Sequence, residues 1–233
     1  MAHPTTDPRG LAAALADMAR DLLAQPGVQQ TLDRVVEHAV ALVDGCESAG
    51  ILVVRQGKVS TLAASHELAR SSDRLQAELG EGPCLNATIE EEQVFRIANM
   101  AEAGDRWPRY APAARGLGIG SAMGFWLFTE DENLGALNLY SSRPDAFGER
   151  TEHVGWLLAS HAAVAFASAR NEAHLRDAMD TRQDIGEALG ILMERRKITE
   201  EQAFDLLREQ SQSRNVKLRA LARQITETGE LGN

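Results

Sequence analysis

The fold of the C-terminal part is decided by residues 182–223, which read RQDIGEALGILMERRKITEEQAFDLLREQSQSRNVKLRALAR. In the first third of this stretch, apolar residues recur at intervals of three and four: Ile185, Ala188, Leu189, Leu192 and Met193. This spacing is typical of a helix with one apolar stripe. The pattern stops at Lys197 and Ile198, so we expect the helix to end there.

Two further short helices are predicted after this break. Thr199 and Gln202 have the spacing of a capping box at the start of the second helix, and Asn215 can cap the third. The expected buried residues of the two helices are Ala203, Phe204, Leu206, Leu207, Leu218, Leu221, Ala222 and Ile225. Short amphipathic helices cannot each bury a stripe alone, so the three should pack as one bundle.

This pattern resembles the ANTAR domain, the RNA-binding module of bacterial transcription antiterminators. The matching residues extend over all three helices: Arg182, Ile185, Ala188, Gly190-Ile191-Leu192-Met193, Ile198-Thr199, Ala203-Phe204, Leu207, Asn215, Lys217-Leu218 and Ala222. The resemblance implies that the bundle binds paired stem-loops in the leader of a nascent mRNA. Stabilising those stem-loops would prevent an overlapping terminator hairpin from forming.

The candidate RNA contacts are the basic residues of the bundle and one glycine: Arg182, Gly190, Arg195, Arg196, Lys197, Arg208, Arg214, Lys217, Arg219 and Arg223. Recognition of a hairpin loop needs cations for phosphates and flat groups on which unpaired bases stack. Because Phe204 is expected in the core, stacking is assigned to the arginine planes. The alternative is a solvated helix face on which neighbouring glutamates balance the same cations.

Gly190 lies inside the first helix, where glycine costs roughly 0.5–1 kcal/mol relative to alanine. Two explanations stay open from the sequence. Either a neighbouring helix packs close to Gly190, or the RNA backbone approaches there.

The residues before the bundle predict a mixed fold. Helices are expected at residues 11–22 and 32–43, a further one with Leu68, Ser72, Leu75 and Leu79 on one face, and a loop with helix at 106–117. Strands are expected at residues 49–55, 58–64, 93–97, 121–128 and 134–141, with turns at Gln56-Gly57 and residues 129–133. Residues 121–128 are apolar on both faces, which predicts a central, covered strand. The expected class is α+β, with an antiparallel sheet flanked by helices.

This part of the chain resembles the GAF domain, a ligand-sensing fold, over residues 28–169. The resemblance rests on Gly80-Glu81-Gly82-Pro83-Cys84, Trp107-Pro108 and the run LGALNLY at residues 134–140. It implies a small-molecule pocket lined by Cys84, Trp107, Tyr110, Trp126 and Asn138. The alternative is that these side chains only fill the core. No cofactor is required by the sequence, and the Asn-Lys-Phe-Asp run of cyclic-nucleotide-binding GAF domains is absent.

One long helix is expected to connect the two parts, because no proline interrupts residues 149–196. Its candidate dimer seam has a spacing of three and four: Leu157, His161, Val164, Ser168, Asn171, Leu175 and Ala178. We therefore expect a homodimer, supported by helices within residues 10–43. The expected domains are an N-terminal extension at 1–27, a GAF sensor at 28–169, and a coiled-coil helix with ANTAR domain at 170–233.

The net charge restricts which kinds of partner the protein can bind, and the cysteine content indicates its cellular compartment. The formal net charge is −10, whereas residues 182–223 carry nine basic and seven acidic side chains. This acidity argues against a general nucleic-acid coat and against an anionic membrane surface. The chain has two cysteines and no export signal or long apolar run, so reduced thiols in the cytoplasm are expected.

Catalytic and metal-binding chemistry is not indicated. Cys84 precedes a predicted helix, which would lower the pKa of its thiol if it lay at the N-terminus, although a buried inert thiol is the favoured alternative. The six histidines do not have the spacing of a metal site. No serine triad, phosphate-binding loop or zinc motif is present. The predicted protein is a regulator and not an enzyme.

The predicted function is therefore signal-responsive RNA binding that promotes transcription antitermination. The main alternative is a ligand-sensing adaptor whose C-terminal bundle docks on a protein. A helix-turn-helix that binds duplex DNA is a weaker third interpretation. No receiver-like strand ending in aspartates is found, so phosphorylation is not the expected signal.

Overall fold

The computed structural model describes residues 8–56, 58–85, 93–129 and 133–230. Gly57 of the first predicted turn and residues 130–132 of the second lie outside these described residues. The chain divides into two compact units, Met1–Arg170 and Asn171–Asn233. Each unit has its own apolar core.

The first unit is built on one antiparallel sheet. Its strands are β1 (Ser48–Arg55), β2 (Lys58–Ala64), β3 (Val94–Ile97), β4 (Ser121–Phe128) and β5 (Asn133–Ser141), in the spatial order β2-β1-β5-β4-β3. All four pairings are antiparallel. The predicted α+β class is confirmed. The middle strand of the sheet is β5, and β4 lies beside it, paired on both sides and largely buried, which agrees with the prediction of a covered internal strand.

Helices cover both faces of this sheet. In the part of the chain that the structure describes, the main helices of the first unit are α1 (Pro8–Leu23), α2 (Val28–Leu42), α3 (Glu67–Leu79) and α4 (Tyr110–Gly116), followed by the first part of α5 (Glu149–Arg196). One apolar cluster joins α1, α2 and α5 to the sheet through residues such as Met18, Val35 and Leu158. A second cluster joins α3 and α4 to the other face through Ala69 and Tyr110.

The inner face of α3 differs from the prediction. The residues that it buries are Ala69, Ser72, Asp73 and Gln76, whereas Leu68, Leu75 and Leu79 are only partly buried. The helix is thus rotated by about one position relative to the leucine stripe. Three of its four buried side chains are polar, which places a polar cluster under α3.

The prediction of one helix over residues 149–196 is confirmed by α5. The end of α5 packs with α6 (Glu200–Ser213) and α7 (Leu218–Thr228) around eight buried residues: Ala188, Leu189, Leu192, Ala203, Leu207, Leu221, Ala222 and Ile225. Among the described residues, no helix combines the length and apolar character that crossing a membrane requires.

The start of α6 has the predicted capping box. The amide N–H of Gln202 donates to the Thr199 hydroxyl at 3.3 Å, and the Thr199 amide donates to the Gln202 side chain at 3.0 Å. The chain can therefore turn sharply after α5, where Lys197 adopts a φ of 55°.

Two expectations for the bundle are wrong. Phe204, expected in the core, is 39% exposed. Asn215 does not cap α7: its φ is 50°, just after the C-cap residue Arg214 of α6, and the N-cap of α7 is Lys217. Asparagine tolerates this left-handed conformation, so Asn215 ends one helix and does not begin the next.

Candidate functional site

Two of the predicted RNA contacts, Arg219 and Arg223, pair with carboxylates on α5. The Asp184 carboxylate accepts from Nε of Arg219 at 2.8 Å and from Nε of Arg223 at 2.9 Å. Asp177 also pairs with Arg219, and Asp180 lies 3.7 Å from it. The Arg219 guanidinium holds the pKa of Asp184 below its usual value. We call Asp177, Asp180 and Asp184 the α5 carboxylates.

Other predicted contacts pair locally. Lys197 lies 2.5 Å from Glu194, and Arg208 lies 2.9 Å from Asp205, each three residues away on the chain. Such exposed pairs contribute little, typically about 0–1 kcal/mol, and exchange readily with other anions. Arg214 donates to the Gln224 amide oxygen at 3.5 Å, a weak contact.

Three predicted contacts are exposed cations with no ion pair to any described residue: Arg182, Arg196 and Lys217. Arg195 packs its guanidinium against Gly229, where a side chain would collide with it and where φ is 74°. The nine predicted cations thus include ion-paired groups and groups that are open to an external anion.

Gly190 lies on an open surface. No described atom lies within 4 Å of the position that a Cβ would take there, so the first of the two explanations, close packing of a neighbouring helix, is wrong. Beside it is a groove of about 790 Å³ between α5 and the end of α7. The charged groups that line this groove are Glu187, Glu194, Glu227 and Arg195. Its acidic excess disfavours an RNA backbone at this surface.

In the first unit, a cavity of about 120 Å³ lies beside β1 and β5. Of the five predicted pocket residues, Cys84 and Trp126 line it. Trp107 and Tyr110 are buried in the core and make an edge-to-face contact, with ring centroids 6.5 Å apart. Asn138 is fully buried and accepts from the Cys84 thiol at 3.2 Å.

A buried polar cluster extends from Asn138 under α3. Tyr110 and Ser72 share a hydrogen bond of 2.8 Å, and the Thr61 hydroxyl donates to Asp73 at 2.7 Å. Gln76 accepts from the amide of Cys84 at 3.0 Å. Three buried atoms of this cluster have no hydrogen-bond partner among the described residues: Oδ1 of Asp73, Nδ2 of Asn138 and the hydroxyl of Tyr140.

Burial dominates the ionisation of this cluster. It raises the pKa of Asp73 from 3.8 to about 7, although the hydrogen bond from the Thr61 hydroxyl acts in the opposite direction. Burial also raises the pKa values of the Cys84 and Cys46 thiols to about 12. The favoured prediction of a buried thiol at Cys84 is therefore confirmed, and the alternative of a lowered pKa is wrong because burial raises the pKa.

Family models match both units. The model of the GAF domain matches residues 25–167, which is more than half of the chain, and the model of the ANTAR domain matches residues 173–225. The chain belongs to the GAF family and carries an ANTAR domain. GAF domains sense ligands and ANTAR domains are RNA-binding antitermination modules, so both are regulatory and not catalytic domains.

Solved structures support the GAF fold. A GAF domain of a phosphoenolpyruvate-protein phosphotransferase from Coxiella burnetii is similar with a TM-score of 0.55 and 21% identity, over 70% of this chain and 96% of that one. The GAF domain of the Acinetobacter phosphoenolpyruvate-protein phosphotransferase has a TM-score of 0.52 and 14% identity, over 69% of this chain and 94% of that one. The phycoerythrobilin-bound GAF domain of a cyanobacterial phytochrome is similar with a TM-score of 0.54 and 16% identity, over 70% of this chain and 98% of that one. No curated protein matched the chain.

The GAF domain contains polar residues that the sequence prediction did not include. Asp73, Gln76 and Tyr140 lie with Asn138 and Tyr110 in the buried cluster. The available signal was the spacing of Ser72, Asp73 and Gln76 on one helical face, which the leucines of α3 obscured. In the described ranges, His, Cys, Asp and Glu side chains form no group of three or more that could hold a metal ion.

Proposed function

We propose that this protein is a signal-responsive RNA-binding regulator that promotes transcription antitermination. The observation that carries the proposal is the ANTAR match to residues 173–225, which fold as a bundle with exposed cations. In the proposed complex, the bundle binds tandem stem-loops in an mRNA leader. The stem-loops then persist, the overlapping terminator cannot form, and polymerase continues.

The proposed RNA surface begins with Arg182, Arg196 and Lys217, because these cations have no competing carboxylate among the described residues. Phe204 adds a flat group that the sequence prediction had placed in the core. Its exposed ring on α6 supplies a platform on which an unpaired loop base can stack. Base stacking therefore does not depend on arginine planes alone.

The GAF domain is the proposed sensor. The unpartnered polar atoms of Asp73, Asn138 and Tyr140 support this, because buried polar groups without partners cost about 1–3 kcal/mol each and are rare. None of the three side chains lines the cavity beside β1 and β5, but Cys84 does and its thiol bonds to Asn138, so a ligand in the cavity would act on the cluster through Cys84. The structurally similar phytochrome domain is phycoerythrobilin-bound, but a cavity of about 120 Å³ requires a much smaller molecule here.

We further propose a homodimer. Leu23 and Val164 are each 64% exposed, and both line an apolar groove of about 290 Å³ between α1 and α5. A second groove of about 390 Å³ includes Phe128 and Val164. Leu157 and Val164 belong to the predicted seam, so a second copy of α5 and α1 is the proposed occupant of this surface.

The proposed domains are the extension at 1–27, the sensor at 28–169, and the coiled-coil helix with ANTAR domain at 170–233. An antitermination regulator acts on nascent transcripts, so we place it in the cytoplasm. Signal transfer requires two states that differ in ligand affinity and in RNA affinity. The proposed connection between sensor and bundle is α5.

The test is capture of cellular RNA on the purified full-length protein, followed by sequencing. Leader segments with two stem-loops should be enriched. The variant Arg182→Glu/Arg196→Glu/Lys217→Glu should lose this enrichment, whereas Arg55→Glu/Lys58→Glu/Arg115→Glu, which makes the same change in net charge at exposed cations of the first unit, should keep it. No enrichment of any RNA would contradict the proposal.

The acidic groove beside Gly190 favours the adaptor as a second candidate, since Glu187, Glu194 and Glu227 suit a basic protein segment. The two candidates give different results in the same capture. An adaptor would retain a protein partner after ribonuclease treatment and would enrich no leader RNA.

A further inference from the structure

We propose that the α5 carboxylates occupy Arg219 and Arg223 in the RNA-free protein, and that RNA phosphates replace them on binding. This inference rests on the proposed RNA-binding function, because it describes the regulation of that same surface. The α5–α7 ion pairs would then set how much of the cationic surface is available to RNA.

The geometry of Arg219 carries the first step. Its guanidinium contacts the carboxylates of Asp177, Asp180 and Asp184, which lie 35 to 42 residues earlier in the chain. Arg223 shares Asp184. These pairs connect different helices, unlike those of Lys197 and Arg208, which connect neighbours on the chain.

The chemistry of the guanidinium carries the second step. Its planar fork binds carboxylate and phosphate with the same donor geometry, so either anion can occupy it. The Asp177 and Asp180 side chains are 72% and 66% exposed. Water can therefore solvate them when they leave the guanidinium, and a phosphate can take their place.

The spacing of the α5 carboxylates carries the third step. Residues 177, 180 and 184 lie on one helical face, where like charges three or four residues apart repel each other. Arg219 neutralises this repulsion in the RNA-free bundle. When Arg219 moves to a phosphate, the three carboxylates on this face of α5 are left to repel each other. This repulsion destabilises the RNA-bound state, so a conformational change in α5 can shift the equilibrium between the RNA-free and RNA-bound states.

The test compares the full-length protein with Asp177→Asn/Asp180→Asn/Asp184→Asn, titrated with a tandem stem-loop RNA over a range of salt concentrations. The variant frees both guanidinium groups. We expect RNA affinity to increase about 5–20-fold near 0.15 M salt, because the two guanidinium groups no longer have to leave carboxylates. The slope of log affinity against log salt should also steepen, because in the wild type rising salt weakens the competing α5–α7 ion pairs and so offsets part of the loss of RNA affinity.

We call the occupation of Arg219 and Arg223 by the α5 carboxylates masking. Two controls separate the loss of masking from the simple removal of negative charge. Glu187→Gln/Glu209→Gln/Glu227→Gln makes the same change in net charge at exposed acids that have no ion pair among the described residues. It should leave the slope unchanged. In an Arg219→Gln/Arg223→Gln background, the three Asn substitutions should no longer steepen the slope, because the groups they would free are gone.

The outcomes distinguish the two proposals. Tighter binding with a steeper slope in the Asn variant alone supports masking. If the wild type binds RNA and the Asn variant binds with the same affinity and slope, masking is overturned and the proposed RNA-binding function still holds. Binding by neither protein in low salt overturns both.

Circular dichroism melting checks that the bundle is folded. If the triple variant is unfolded, Asp180→Asn removes only the 3.7 Å contact, and its affinity must change in the same direction by a smaller factor. An unchanged or lower affinity in this folded variant would overturn masking.

Discussion

Asp73 lies on the buried face of α3 with 1% of its surface exposed, and burial raises its pKa from 3.8 to about 7. Between these two values the folded protein keeps a proton that the unfolded chain releases. The contribution of Asp73 to the free energy of unfolding is therefore full below about pH 4, falls as the pH rises, and is lost above about pH 7.

Asp73→Asn should remove this dependence, because an amide keeps an acceptor for Thr61 and does not titrate. The free energy of unfolding of the variant minus that of the wild type should increase by up to about 1.4 kcal/mol per pH unit between about pH 4 and 7. Urea unfolding at several pH values, with the exposed Asp33→Asn as control, measures this difference. A difference that stays constant with pH would show that Asp73 is ionised in the folded protein.

Gly190→Ala should stabilise the bundle by about 0.5–1 kcal/mol, because no described atom fills the space near its Cα and alanine is the better helix former. Native-state hydrogen exchange at the amides of α5 near Gly190 measures the change. Gly229→Ala is the opposing control, since a side chain there meets Arg195 and a φ of 74°. Destabilisation by Gly190→Ala would mean that a contact absent from this structure requires the glycine.

The candidate residues show how far a sequence can predict a site. The positions of Arg182, Arg196 and Lys217 on exposed surfaces agree with a helical reading of the sequence. Arg219 looked equivalent to them, but its partners lie at least 35 residues earlier in the chain, which only the packing of α7 on α5 decides. Asp73 was missed because a polar residue on a helix normally indicates the solvent face.

At the scale of an element, the capping box at the start of α6 is the clearest local interaction that stabilises a helix end. Thr199→Ala should destabilise the bundle by about 1 kcal/mol, because the amide of Gln202 loses its acceptor. Hydrogen exchange in α6 measures this loss. Thr181→Ala is the matched control, since among the described residues its hydroxyl donates to the carbonyl of Asp177 in its own helix and caps no helix end. Equal effects of the two substitutions would contradict a capping role.

Elements were predicted where the deciding contacts are local. The strands follow from the pattern of apolar residues and turns, and α5 follows from the absence of proline in residues 149–196. The start of α6 follows from two capping residues that are three positions apart. The rotation of α3 and the exposure of Phe204 did not follow, because each depends on which side of a helix meets the rest of the fold. The middle position of β5 likewise depends on strand pairing across the whole sheet.

At the scale of the whole molecule, the exposed apolar surface of α1 and α5 predicts self-association. Val164→Glu should shift the protein from dimer to monomer, because a buried unpaired carboxylate opposes the interface. Analytical ultracentrifugation measures the change. Leu117→Glu makes the same kind of substitution at an exposed leucine after α4 and should leave the dimer intact. A wild-type protein that sediments as a monomer at all concentrations would contradict the dimer.

The central claim is that the C-terminal bundle binds RNA stem-loops through phosphates. Its most direct measurement is an equilibrium titration of the full-length protein with tandem stem-loop RNA at increasing salt, with duplex DNA of equal length as competitor. We predict binding that weakens linearly in log–log form, with a slope of about −2 to −4 for three to five phosphate contacts, and that duplex DNA does not compete at equal concentration. No binding in low-salt buffer, or equal competition by duplex DNA, would contradict the account.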